Sequence, residues 1–149
     1  MSIETLLTDG AKQMNIELDE TQSSKLLAYL ELIVKWNKTY NLSAIRNIEE
    51  GVKKHLLDSL SVVSYIKSGP LLDVGSGAGL PGIVISVMKP NLKVVVLDTV
   101  GKKCRFMQFA KTKLGLKNLS VVNERVENYQ PEICFNQITS RSFAEVEKT

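Results

Sequence analysis

The chain has 149 residues, 44% apolar and 23% charged, which is one domain's worth with enough apolar surface for a real core. That mix excludes a disordered tail, a collagen-like rod and a disulfide-stapled miniprotein. The net charge of +3 hides a gradient: residues 1–31 are net acidic, whereas residues 100–119 hold six basic side chains and no acidic one.

Taken in chain order, Ile3, Leu6, Leu7 and Met14 predict a short first helix. Leu26, Leu27, Leu30, Ile33 and Val34 follow the i, i+3, i+4, i+7 pattern of an amphipathic helix over about 20–38, with Asp19 as its N-cap. Val52, Leu56, Leu60 and Val63 predict another helix over about 49–67, and Ser68-Gly69-Pro70 breaks the chain after it. An N-terminal helical subdomain, residues 1–67, is therefore expected before a second part, residues 68–149. There the period changes. Leu71–Val74 reads as a buried strand, Leu80–Met88 as a helix, Lys93–Leu97 as a strand and 101–114 as a helix closed by Gly115. Leu119–Val122 and Ile133–Thr139 complete four strands. Strands alternating with helices predict an α/β fold with a parallel sheet and right-handed crossovers.

No apolar run approaches the ~18–20 residues a membrane helix needs. The start, Met1-Ser2-Ile3-Glu4, lacks a basic region followed by an apolar stretch, so a cytoplasmic location with no membrane partner is expected. Cys104 and Cys134 form no Cys-x-x-Cys pair and read as reduced thiols. No spacing suggests a metal site.

The segment Asp73-Val74-Gly75-Ser76-Gly77-Ala78-Gly79-Leu80 joins the first strand to its helix. Glycines there allow a tight turn and close approach of backbone N–H groups to a ligand. A dinucleotide fingerprint begun at Gly75 fails at Leu80, although a shifted register, Gly77-Gly79-Gly82, fits and keeps a nicotinamide-dependent oxidoreductase as an alternative. Asp73 can receive an amino group or brace the loop. Asp98 ends the second strand, 23 residues beyond Gly75. A carboxylate there can take both hydroxyls of a ribose, or can cap the following helix. The basic block Lys102, Lys103, Arg105, Lys111, Lys113 and Lys117 suits a phosphate backbone or is a solvated helix face.

Leu72-Asp73-Val74-Gly75-Ser76-Gly77-Ala78-Gly79-Leu80-Pro81-Gly82-Ile83 resembles the first motif of S-adenosylmethionine-dependent methyltransferases, and its Leu-Pro-Gly-Ile end resembles one family among them. That family is the ribosomal RNA small subunit methyltransferase G group, also called glucose-inhibited division protein B, whose members methylate guanine N7. Trp36-Asn37-Lys38 with Asn41-Leu42, His55-Leu56-Leu57-Asp58-Ser59, Leu97-Asp98 with Lys102-Lys103 and Phe106, Arg125-Val126-Glu127 and Ser140-Arg141-Ser142-Phe143-Ala144 resemble its further motifs, with Ser142 where Ala is usual. The resemblance implies a Rossmann-like methyltransferase sheet, S-adenosyl-L-methionine as cofactor, and 16S ribosomal RNA or the small ribosomal subunit as partner. It implies that Gly75, Gly77 and Leu80 contact the cofactor, that Asp98 holds its ribose, and that Val126 and Glu127 flank its adenine. Arg141 would position cofactor and base, and Lys102, Lys103 and Arg105 would meet RNA.

Guanine N7 offers an in-plane lone pair and no proton, so no general base is expected and the chemistry reduces to alignment. His55 reads as structural. Trp36 reads as a packing anchor, or else as a surface for a base. Proteins of this fold have more strands than the four placed here. The resemblance therefore implies a chain lacking its C-terminal part, with the cofactor half retained, the fourth strand at an open edge and catalysis in question. A non-catalytic cofactor-binding fragment stands as a further alternative, and a monomer is expected at full length.

Overall fold

The computed structural model describes residues 2–45 and 47–140. Helix α1, Ile3–Gln13, starts where the Ser2 side chain accepts the Thr5 amide. Helix α2, Glu20–Asn37, starts at a reciprocal cap: Asp19 Oδ1 accepts the Gln22 amide at 2.7 Å and Gln22 Oε1 accepts the Asp19 amide at 3.0 Å. That pair satisfies two of the orphan donors at the helix start. At the other end, Asn37 folds the next loop onto the helix. Its Oδ1 accepts the Leu42 and Ser43 amides, and its Nδ2 donates to the Ser43 carbonyl.

The expected third helix is composite. A short α3, Ile48–Gly51, runs into a π-helical turn, Val52–Leu57, and then α4, Asp58–Val63, ending before the predicted limit at 67. The apolar stripe Val52, Leu56, Leu60 stays buried throughout. π-helical turns are rare and widen the helix locally.

Four parallel strands follow: β1 Leu71–Val74, β2 Val94–Asp98, β3 Leu119–Asn123 and β4 Gln137–Thr139. Their order is β3-β2-β1-β4, with Leu71 beside Val94 and Gln137, and Val94 beside Leu119. Helices α5, Gly82–Met88, and α6, Gly101–Leu114, make the crossovers. Gly115, at φ +66°, ends α6 in the left-handed conformation expected of a helix-terminating glycine.

One core joins both halves of the chain. Leu7, Tyr29, Leu30, Ile33 and Leu56 from the helical part cluster with Leu71, Val94, Val96, Phe106 and Met107. The boundary at 67/68 is therefore a change of secondary structure within a shared core. The opposite sheet face carries Leu72, Val74, Val95 and Leu97. Tyr129, Phe135 and Val122 pack on it.

Strand β4 is shorter than predicted. At its start the side chains bond the segment leading into β1: Asn136 Nδ2 donates to the Ser68 carbonyl, and Gln137 Nε2 donates to the Lys67 and Gly69 carbonyls. Phe135 turns onto Tyr129, with ring centroids 6.4 Å apart. Phe135 thus serves packing rather than strand pairing.

Candidate cofactor site

The turn from β1 into α5 is built by its neighbours. Asp73, fully buried, accepts from the Ser76 hydroxyl and the Gly82 amide through Oδ2, at 2.9 and 2.8 Å. Its Oδ1 accepts from the Thr139 hydroxyl at 3.0 Å, tying β4 to the turn. Of the two roles open to Asp73, bracing the loop is thus seen directly. Tyr29, fully buried on α2, donates its hydroxyl to the Ala78 carbonyl at 2.7 Å. Gly79 has φ +107°, and a Cβ there would lie 2.3 Å from Ile83 and 3.0 Å from the Tyr29 hydroxyl. No other residue type meets both conditions.

Asp98 closes the turn from the second strand. Its Oδ2 accepts the Gly77 amide at 2.8 Å and its Oδ1 accepts the Val100 amide at 2.9 Å. Both interactions hold the carboxylate at the sheet's carboxyl end. The N-cap of α6 is Val100, so Asp98 orders the approach to the helix without capping it.

A cavity of about 390 Å³ opens there, lined by Gly75, Leu97, Asp98, Lys103, Val126 and Glu127 among others. Ligands of open α/β sheets bind at the carboxyl ends of their strands. Val126 leaves 38% of its surface exposed, an apolar wall suited to a flat ring. Glu127 pairs with Arg125 at 3.4 Å. Each carboxylate oxygen of Asp98 has further acceptor capacity beyond its one amide partner. A carboxylate beside a glycine turn and an apolar wall fits a nucleoside, and the arrangement accommodates S-adenosyl-L-methionine.

Of the expected site residues, the structure brings Gly75, Asp98, Lys103, Val126 and Glu127 together on this cavity. Gly77 adjoins it through its bond to Asp98. Leu80 is 7% exposed and its side chain belongs to the core, while its amide donates to the Ser76 carbonyl. Arg141 lies outside the described residues. Tyr29 and Thr139 escape sequence reading because their partners lie 49 and 66 residues away. The Cys104 thiol sits 3.5 Å from the Asp98 carbonyl. Burial, and secondarily the Asp98 carboxylate, push it above its ordinary value, so it is a quiet thiol. Among the described residues, no group of three or more His, Cys, Asp or Glu is arranged to hold a metal ion, and no helix is long and apolar enough to cross a membrane.

Gly82 of the Gly77-Gly79-Gly82 register packs helix against sheet, the role a third fingerprint glycine also has. Gly82 lies under the sheet, where a Cβ would sit 2.4 Å from Val96 and 2.7 Å from Asp73 Oδ2. Its glycine is required by helix–sheet packing. The relatives described next are all methyltransferases, which gives the nicotinamide-oxidoreductase alternative no support.

The chain is similar to solved methyltransferases at the level of fold. A protein-L-isoaspartate O-methyltransferase aligns with a TM-score of 0.63 at 16% identity, over 93% of this chain and 47% of that one. A coclaurine N-methyltransferase bound to N-methylheliamine and S-adenosylhomocysteine aligns with a TM-score of 0.50 at 14% identity, over 93% and 48%. The chain thus spans about half the length of each. Sequence relatives are nearer. A ribosomal RNA small subunit methyltransferase G of Ruthia magnifica is 70% identical over 99% of this chain and 73% of its own length. The same-named protein of Pseudomonas syringae pv. tomato is 50% identical over 95% and 67%. The model of the family described as rRNA small subunit methyltransferase G matches residues 22–149, and on this match and these identities the chain belongs to that family of S-adenosyl-L-methionine-dependent methyltransferases.

Proposed function

We propose that the protein transfers a methyl group from S-adenosyl-L-methionine to N7 of a guanine in 16S ribosomal RNA, acting in the cytoplasm. The observation that carries the cofactor half is the cavity joining Gly75, Asp98, Val126 and Glu127. In this reading Asp98 accepts from the ribose hydroxyls. Val126 and Glu127 flank the adenine, and the Gly75–Gly77 backbone passes close beneath the cofactor. The bound cofactor supplies an electrophilic methyl on a sulfonium, so the hard chemistry is its own.

The protein's part is then geometric. N7 is an acceptor with a lone pair in the base plane. It has no proton to lose, so the residues need only hold the base in line with the methyl and keep the cofactor fixed. The bracing by Asp73, Tyr29 and Asp98 serves that end by fixing the glycine turn from three directions. Lys102 and Arg105, exposed on α6, face RNA, while Lys103 also borders the cofactor cavity.

The reading is tested by incubating the protein with small ribosomal subunits from cells lacking this family's activity and labelled cofactor, then digesting the RNA to nucleosides. Label in 7-methylguanosine supports it. Label in another nucleoside overturns the N7 assignment. S-adenosylhomocysteine binding without any transfer favours a cofactor-binding chain without turnover.

A further inference from the structure

Helix α6 carries a stripe that the cofactor does not use. Lys102, Arg105, Phe109 and Lys113 recur at spacings of three and four, so they share one face, and all four are exposed. Between Val100 and Asn123 the chain has no acidic residue. Among the described residues, the ion pairs are Lys54–Glu50 and Arg125–Glu127, so none of the α6 cations is neutralised by a neighbour. The stripe is also aromatic. Phe109 leaves 37% of its surface exposed. It is seated on Trp36 from the end of α2, centroids 5.3 Å apart, and Trp36 is in turn held by Phe106 and Tyr40 at 5.3 and 5.6 Å. A ring backed in this way keeps its orientation.

We propose that this face is a docking surface for single-stranded RNA, on which Phe109 stacks a base while Lys102, Arg105 and Lys113 take the neighbouring phosphates. The proposal rests on the RNA-methyltransferase reading above and adds where the flanking strand runs. Charge complementarity selects a polyanion, and the exposed ring selects one with unpaired bases, since a duplex keeps its base faces buried in the stack. The stripe from Lys102 to Lys113 runs about 16 Å at ~1.5 Å per residue. It begins beside Lys103 on the cofactor cavity, so a strand lying on it leads to the reaction site. The Lys113 ammonium lies 5.7 Å from the Phe109 centroid. An exposed cation–π contact of this kind is worth ~0.5–1 kcal/mol, against ~1–3 kcal/mol for a stacked base, so a base displaces the lysine towards a phosphate.

The test is fluorescence anisotropy with a labelled single-stranded oligoribonucleotide of mixed sequence, over a range of salt, on the whole chain. Phe109→Ala is expected to raise Kd roughly 5- to 100-fold with the salt slope unchanged. Lys113→Gln and Arg105→Gln are each expected to flatten the slope of log K against log salt by about 0.7. Both classes should bind S-adenosylhomocysteine like the parent. Wild-type affinity for Phe109→Ala, or equal binding of a duplex of the same composition, overturns the stacking platform, as does binding of an acidic protein that RNA does not displace. If Phe109→Ala also loses S-adenosylhomocysteine, the fold has changed, and the exposed Lys113→Gln variant decides: an unchanged salt slope overturns the proposal. RNA binding with these signatures but no methyl transfer leaves the docking surface standing and defeats the catalytic reading instead.

Discussion

Tyr29 donates its hydroxyl to the carbonyl of Ala78 at 2.7 Å, so a side chain of the second helix fixes the glycine turn of the first strand. The contact is fully buried on the tyrosine side, and the ring also meets Phe106 at 6.4 Å. The helical part of the chain is therefore a brace for the cofactor loop as well as a cover for the sheet. Tyr29→Phe keeps the ring and removes the donor, leaving the Ala78 carbonyl short of a partner. That costs about 1–3 kcal/mol. The cost should divide between a lower Tm and an S-adenosylhomocysteine Kd raised several-fold by calorimetry. A lower Tm with unchanged Kd would confine Tyr29 to stability.

Two glycines of the turn should respond to alanine for different reasons. At Gly82 the added methyl meets Val96 and Asp73 Oδ2 inside the packed helix–sheet interface. Overpacking there should cost ~1–3 kcal/mol. At Gly77 nothing lies within 4 Å of the new atom, but φ is +61°. The cost is then the left-handed backbone alone, about 1–2 kcal/mol. Denaturant titration of both variants measures this. Relief of the Gly82→Ala defect by Val96→Ala, with no relief of Gly77→Ala, is the expected pattern.

The thiols separate by burial. Cys134 is exposed and Cys104 is 6% exposed with its ordinary value raised by burial and by Asp98. A thiol reagent should modify Cys134 at once and Cys104 only on unfolding. The linkage sign follows. A thiol that ionises later in the folded state contributes its stability below the unfolded value and loses it as pH rises through and beyond that value. Stability should therefore fall on alkaline titration, and Cys104→Ala should flatten that fall. Equal labelling of both thiols in the native protein would contradict the burial.

Much of the fold was legible because local signals agreed. Helix α6 was predicted over 101–114 and observed at Gly101–Leu114, since a glycine with positive φ ends it. Helix α2 followed from its apolar stripe and the Asp19 cap. The π-helical turn at Val52–Leu57 was not legible, because an apolar period of three and four residues looks the same when the backbone bonds lengthen their reach. Nor was the short β4, where Ile133–Phe135 had a strand's composition but only Phe135 found partners on the sheet face. At the site, loop and carboxylate were visible as spacing. The bond between Asp98 and Gly77, and the braces from Tyr29 and Thr139, exist only once distant segments meet. Leu80 shows the converse: a motif position expected at the cofactor places its side chain in the core.

In the reading proposed above, the cavity at Asp98 holds the methyl donor. Calorimetric titration of S-adenosylhomocysteine into the parent and into Asp98→Ala, with NAD as the competing ligand, tests it most directly. Hydrogen bonds to a charged acceptor are worth ~1.5–3 kcal/mol. The expected result is one S-adenosylhomocysteine per chain, a Kd raised roughly 10- to 100-fold in Asp98→Ala, and no displacement by NAD. Equal affinity in the two proteins, or displacement by NAD, would contradict it.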